Sequence, residues 1–506
     1  MRRGTLGGIF RAVCAVLCCV CLFMSCGCAS LLKPPPASSD ESGVTSPSVV
    51  SPLHDDWFRL RFDPADGINP YTVATSGNLE LCKLLYDGLT RLEDDWTAKN
   101  SLAQSVDAAD PLSVIVTLRA DAKMSDGSPV VAVDVVASLA FAKSSAWFAP
   151  MVANIQTAVA VDESTVRFAL VRAEPNAGAC FSFPVLRVTD SAPLGSGRYV
   201  FESGDLPQLS PNPYNASSPS ISTIQLVSSS GDDSFLQAVE GGAISFFFTD
   251  LSDGAVPYAA SSRMNVPLAQ LVYIGVNANR NTVSDVNVRL AVSHAISRAE
   301  LAGESYDGWA RPAAGPFHGA WAGFCEISVL SENENIAESV AHLTQAGYNS
   351  GASDNPAAKN LAVEMLVAAD GGFREAAADL IVIQLARVGI TVNVTRLSLS
   401  ELKGRLQNGS FDMYLGEARM TAGMSLDMWL RSDGNCSYGI NGAAVGYDKL
   451  LSGEVDIKSF CETFAAEMPY IPVCWRDGAS VFRRTVDGVG STAFDPFYGL
   501  ENWTVS

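Results

Sequence analysis

The sequence predicts an α/β protein with mixed or parallel sheets, and three observations carry that prediction. Strand-like and helix-like patterns alternate from Phe58 to Gly416 rather than falling into separate blocks, the order produced when helices cover a sheet. The strand-like runs are short and β-branched, as in Ser113–Leu118 and Ile390–Leu397. A chain of 506 residues with 48% hydrophobic and 17% charged side chains is also long and apolar enough for two or three domains with sizeable cores, which excludes a disordered protein.

Taken in order, residues 1–28 read as a targeting segment. Arg2, Arg3 and Arg11 make a positive start, and Ala12–Met24 is an apolar stretch short of the ~20 residues that span a bilayer. Ser25 supplies a small residue before Cys26, so the pattern resembles a bacterial lipoprotein signal with Cys26 as the lipidated residue. Cys28 is the competing site, and an ordinary secretory signal is the alternative. Buried acyl chains contribute ~0.8 kcal/mol per methylene, so several chains anchor a protein to a membrane through its N-terminus. Residues 29–52, with Pro34-Pro35-Pro36 and a serine-rich stretch, read as a flexible tether.

The folded part is expected from Leu53. Phe58–Phe62 alternates apolar residues with Arg59 and Arg61 as a strand does, and stops at Asp63-Pro64. Leu84–Leu92 has helical spacing, with Asp87-Gly88 as a turn pair. Ser113–Leu118 reads as a strand, Asp126-Gly127-Ser128-Pro129 forces a turn, and Ala132-Val133-Asp134-Val135-Val136 starts a helix. Ile155–Val161 and Thr165–Leu170 predict a hairpin. Ile221–Ser228 and Ala243–Phe248 read as strands around a short helix Ser234–Glu240. Leu271–Val276 predicts a buried strand before a helix Val286–Ala302. Strand Ala357–Val367, helix Phe373–Val388, strand Ile390–Leu397, helix Ser400–Asn408 with Ser400 as N-cap, and strand Phe411–Gly416 complete the alternation. No repeat at a solenoid period occurs.

The composition narrows function mostly by exclusion. A formal charge of −20 without a long basic run after residue 11 argues against nucleic acid, whose phosphates need clustered Lys and Arg. His54, His294, His318 and His342 stand alone, without HxxxH or HExxH spacing, so no metal site is expected; His318, in a loop, is the one considered near a ligand. Ser400-Glu401-Leu402-Lys403 and Ser353-Asp354-Asn355 mimic two motifs of penicillin-recognising enzymes, but in inverted order and without Lys-Thr-Gly. Gly488-Val489-Gly490 runs into Asp495-Pro496 rather than a helix, so it reads as a turn. No catalytic set and no cofactor are expected. Six cysteines lie in the signal region; Cys82, Cys180, Cys325, Cys436, Cys461 and Cys474 are far apart, and read either as small buried thiols or as disulfide partners, Cys461 and Cys474 being nearest in sequence.

A set of segments in fixed order carries a family resemblance. Tyr86-Asp87-Gly88-Leu89, Leu102-Ala103, Leu118-Arg119, Ser125–Pro129 and Ala132–Val136 are followed by Pro193-Leu194-Gly195-Ser196-Gly197-Arg198-Tyr199, by Val286–Ile296, by Gly389-Ile390 to Phe411-Asp412-Met413, and by Pro469-Tyr470-Ile471-Pro472. The chain from roughly Leu53 onward resembles the family 5 extracellular solute-binding proteins, the oligopeptide-, dipeptide- and nickel-binding proteins of ABC importers. The resemblance implies a two-lobed periplasmic-binding-protein-like fold of class II with an extra subdomain inserted in lobe I. It places lobe I at about 53–88, 193–270 and 478–506, the insert at 89–192 and lobe II at 271–477. It implies a monomer in the bacterial cell envelope, facing the periplasm or exterior, that passes a short peptide or other small solute to ABC permease subunits. Alternatives are adhesion or sensing on the same fold, or a non-peptide solute such as a metal chelate.

The ligand question falls on Tyr414–Thr421. Peptide-binding members carry Gly-Trp-x-x-Asp here, the Asp pairing with the peptide ammonium. This chain has Glu417 in place of the Trp, Arg419 as a positive charge, and no Asp before Asp427. Glu417 either answers an ammonium while Arg419 holds a carboxylate, or the two pair with each other as a structural bridge. Met420 and Thr421 follow as candidate ligand contacts, with Asn69 in the Asn69-Pro70-Tyr71 loop and Tyr438 and Asn441 in the loop Ser437–Gly442.

Overall fold

Two long strands organise the fold. Ser262–Val276 and Tyr470–Phe482 run antiparallel from Ser262 opposite Phe482 to Gly275 opposite Tyr470, with register shifts between Pro267 and Leu271 and between Val272 and Tyr273. Proline has no N–H for the ladder, so an irregularity at Pro267 is where a strand tolerates it. The computed structural model describes residues 57–189, 192–217, 219–228, 235–252, 261–349 and 359–506. The signal-like segment with Cys26 and Cys28, the tether, and Ser353–Asn355 lie outside the described residues.

The two strands are the centre of a seven-stranded sheet in the order 246–249, 470–482, 262–276, 413–419, 361–368, 390–397, with Ala310–Pro312 also paired to 470–482. Leu361–Ala368 and Ile390–Leu397 are parallel in unbroken register, as strand–helix–strand connection through Phe373–Ala386 requires. Alternate residues feed opposite faces. Val272, Ile274, Val276, Met413 and Leu415 join one core with helices Val286–Ala295 and Phe373–Ala386, whereas Tyr273, Tyr414, Trp429, Tyr470 and Trp475 join an aromatic core on the other. Gly275 must be glycine, because a Cβ there would collide with the Tyr414 ring.

The other lobe is built on two four-stranded sheets. One has the order 58–62, 224–228, 208–211, 199–202; the other, fully antiparallel, has 103–107, 113–118, 165–170, 155–160. Both contribute to one core, with Phe58, Leu60, Val116, Phe168 and, from the C-terminal stretch, Phe497 and Trp503.

Several elements depart from expectation. The helical pattern read over Leu84–Leu92 belongs to a helix Ser76–Leu85, capped by Thr75, and Thr90–Leu92 is a strand paired with Ala98–Asn100. Its end is fixed by a distant segment: the Gly197 N–H donates to Leu85 O, and Gly195 packs so closely there that a Cβ has no room. Helix Val286–Ala295 stops before the expected Ala302, because Ile296 is extended and the Ser297 side chain caps a new turn. Ser398, not Ser400, caps helix Leu399–Gln407: its hydroxyl accepts from the Glu401 N–H while the Glu401 carboxylate accepts from the Ser398 N–H. The strand from Phe411 is instead Met413–Arg419, so Glu417 and Arg419 lie within it. All six described cysteines are free thiols, four of them buried.

Candidate functional site

A cavity of about 990 Å³ opens between the lobes. Helix Ser76–Leu85 supplies Lys83, and the extended stretch after it supplies Tyr86, Asp87 and Arg91. Trp147 and Phe148 come from the segment after helix Ala132–Ser144, and Phe494, Asp495, Tyr498 and Glu501 come from the C-terminal stretch. The seven-stranded sheet contributes Arg419 at the end of its strand, then Met420, Thr421 and Ala422. This volume is at the upper end for small-ligand pockets.

Charge inside the cavity is mixed, with cations in excess: Lys83, Arg91, Arg119, Arg198 and Arg419 face Asp87, Asp495 and Glu501. Arg198 holds Asp495 at 3.2 Å and Glu501 at 3.6 Å. Burial lowers the Arg198 proton affinity, but Asp495, Glu501 and Asp87 together outweigh it and hold the guanidinium above its ordinary range. Arg91 leans on Glu93 at 3.0 Å and Arg119 on Asp121 at 3.5 Å. Asp87 accepts from Asn215 Nδ2 at 3.1 Å. Burial pushes its carboxyl up to about 6, against the opposing pull of Arg198, Arg119 and Arg91. Aromatic surface is available too: the Trp147 side chain is 40% exposed even though its Nε1–H donates to Val73 O at 2.9 Å.

Three of the residues singled out in the sequence, Arg419, Met420 and Thr421, line this cavity. Glu417 does not. It lines a separate pocket of about 140 Å³, where Arg476 Nη1 donates to it at 2.7 Å, Gln270 Nε2 at 2.5 Å, and Arg374 stands 3.8 Å away. The side chains of Arg476 and Glu417 are 5% and 7% exposed. The proposed Glu417–Arg419 bridge is therefore not formed, and the partner of Glu417 is Arg476. Asn69 accepts from the Tyr71 N–H, Tyr438 packs edge-on against Tyr414, and Asn441 is exposed ahead of the turn Gly442–Val445; none of the three borders the cavity. His318 is buried between Trp96, stacked at 4.2 Å, and Trp475. It likewise does not reach the cavity. Asp427, the next acid along the chain, is held by Arg172 of the other lobe at 2.9 Å and by Arg431 at 3.4 Å. Next to it, Asn176 donates to Ala422 O from its side chain and to Gly423 O from its backbone, so the lobes also touch beside the cavity.

Lys83, Asp87, Trp147, Arg198 and Tyr498 were not anticipated as site residues. Arg198 and Asp87 sit inside quoted family segments but carry only turn or packing signals locally; Trp147 had no pattern to mark it. No group of three His, Cys, Asp or Glu side chains suited to a metal occurs among the described residues, and no described helix is long and apolar enough to cross a membrane.

A model of bacterial extracellular solute-binding proteins, family 5 (middle region), matches residues 97–434. The chain belongs to family 5. Its members are solute-binding proteins of ABC importers, a class of binders rather than enzymes. No curated protein sequence matches the chain. Among solved structures it is similar to the murein tripeptide-binding protein MppA in its unliganded open form, at 18% identity, TM-score 0.73, over 89% of this chain and 97% of that one. It is similar to the nickel ABC transporter protein of Bacillus halodurans, at 16% identity, TM-score 0.72, over 89% and 100%. It is also similar to the oligopeptide-binding protein AppA of Bacillus subtilis in complex with a nonapeptide, at 19% identity, TM-score 0.57, over 89% and 99%. These similarities establish the shared two-lobed α/β fold of this family 5 protein.

Proposed function

We propose that this family 5 protein captures a short peptide between its lobes and delivers it to an ABC permease, tethered to the membrane by acyl chains on Cys26. The observation that carries the reading is the cavity of about 990 Å³, walled by both lobes and lined with charged and aromatic side chains. A peptide suits such a wall: its termini meet charges, and its side chains meet Trp147, Phe148 and Phe494. The similarity to proteins that bind a murein tripeptide and a nonapeptide supports the peptide class. The similarity to the nickel transporter protein favours one alternative, a metal chelate that brings its own ligands.

In this reading capture works by binding-coupled closure. The ligand adds contacts to both walls that only the closed arrangement offers, and so shifts an existing open–closed equilibrium. We assign the first lobe to about 53–88, 193–270 and 478–506, its insert to 89–192 and the second lobe to 271–477. Native mass spectrometry of protein purified from its own envelope fraction tests the ligand class. A ladder of short peptides released on denaturation is expected; an empty protein that also ignores a broad peptide library contradicts the proposal.

A further inference from the structure

We propose that Lys83 and Arg419 form a two-sided anion latch, in which an anionic group of the ligand bridges the two cations and draws the lobes together. The proposal rests on the capture reading above and adds the charge of the captured group. Lys83 projects from helix Ser76–Leu85 of one lobe and Arg419 from the end of strand Met413–Arg419 of the other, and both line the same cavity.

Among the cavity's cations, these two are set apart by having no ion-pair partner in the described residues. Among the described residues, each other cation of the cavity has an acid within 4 Å: Arg198 has Asp495 and Glu501, Arg91 has Glu93, and Arg119 has Asp121. No ion pair or side-chain hydrogen bond engages Lys83 or Arg419 there. Asp495, the acid that acts most on Lys83, is already bonded to Arg198 and to the Phe497 N–H. The two cations also sense each other. Burial pushes the Lys83 ammonium down from its ordinary value, Asp495 opposes this, and the charge of Arg419 adds to the depression.

Like charges on opposite walls repel while the cavity is empty. An anion between them replaces that repulsion with two charge-assisted hydrogen bonds, one to each lobe, which is the differential contact that closure requires. A ligand bearing only an ammonium finds no equivalent pair across the lobes: Asp87, bonded to Asn215 and without an ion pair among the described residues, stands on one wall only, and the other acids are engaged. Glu501 and Asp495 are held by Arg198, Asp427 by Arg172, and Glu417 by Arg476.

Calorimetric titration of the folded protein with a pool of tripeptides, as free acids and as C-terminal amides, tests the latch. The free acids are expected to bind at least tenfold more tightly than the amides. Lys83→Met and Arg419→Met should each weaken the free acids at least tenfold and bring the acid–amide affinity ratio toward one, and Lys83→Arg and Arg419→Lys should retain most of the affinity. Thermal unfolding checks each variant; should Lys83→Met not fold, the exposed Arg419→Met carries the test. Equal binding of acids and amides, or wild-type affinity in the folded Met variants, overturns the latch while leaving peptide capture intact. Binding of neither form sinks peptide capture instead, and the latch is then read on citrate against its triamide. Citrate binding that the Met variants lose supports it; absent or insensitive citrate binding overturns it.

Discussion

Glu417 and Arg419 are two residues apart on one strand, yet they meet different surroundings. Glu417 neutralises Arg476 at 2.7 Å, both side chains being nearly buried, with Gln270 as a second donor. Removing one partner of a buried ion pair leaves the other charge uncompensated, at a cost of about 3–5 kcal/mol. Glu417→Gln is therefore expected to lower unfolding stability in urea by several kcal/mol; a variant as stable as wild type, with lost ligand binding, would return Glu417 to the ligand site. His318 shows the same logic with a proton. Burial between Trp96 and Trp475, with Arg311 adding to it, holds the imidazole down at about 3, while Nδ1 accepts from the Ala320 N–H. A depressed folded value means that the unfolded chain takes up the proton first, so the stability associated with neutral His318 is full above about pH 6.5 and declines as pH falls toward 3. The slope is up to about 1.4 kcal/mol per pH unit. His318→Asn keeps an acceptor for Ala320 and should flatten that part of the acid dependence in urea midpoints between pH 6.5 and 4.5. An unchanged slope would contradict it.

At the scale of elements, what was legible follows from how local each determinant is. Phe58–Phe62, Ser113–Leu118 and Ile390–Leu397 occur at the bounds their residue patterns predicted, because alternation and β-branching are properties of the segment itself. Helix Ser76–Leu85 was misread because Gly195 and Gly197, more than a hundred residues on, end it. The missed cap at Ser398 was a local signal, since Ser398 and Glu401 have capping-box spacing, but Ser400 at the neighbouring position competed for the reading. The site was less legible than the fold. Arg419 through Thr421 could be read from their place at the end of a strand, whereas the Arg476 partner of Glu417 depends on bringing strands 413–419 and 470–482 to either side of 262–276. Lys83, Asp87 and Trp147 look locally like helix surface, turn and loop; only the approach of the two lobes makes them a wall.

At the scale of the molecule, two lobes with separate cores share a pair of long antiparallel strands and face each other across the cavity. The lobes already touch beside the cavity, through Arg172 to Asp427, Asn176 to Ala422 and Gly423, and the buried stack of Trp96 on His318, and a ligand that engages both walls adds its contacts to these. The central claim is that the lobes close on a short peptide. Small-angle X-ray scattering of the protein, without ligand and with saturating peptides recovered from it, measures this directly. A fall in the radius of gyration that saturates with peptide occupancy is predicted; an unchanged radius at full occupancy would contradict it.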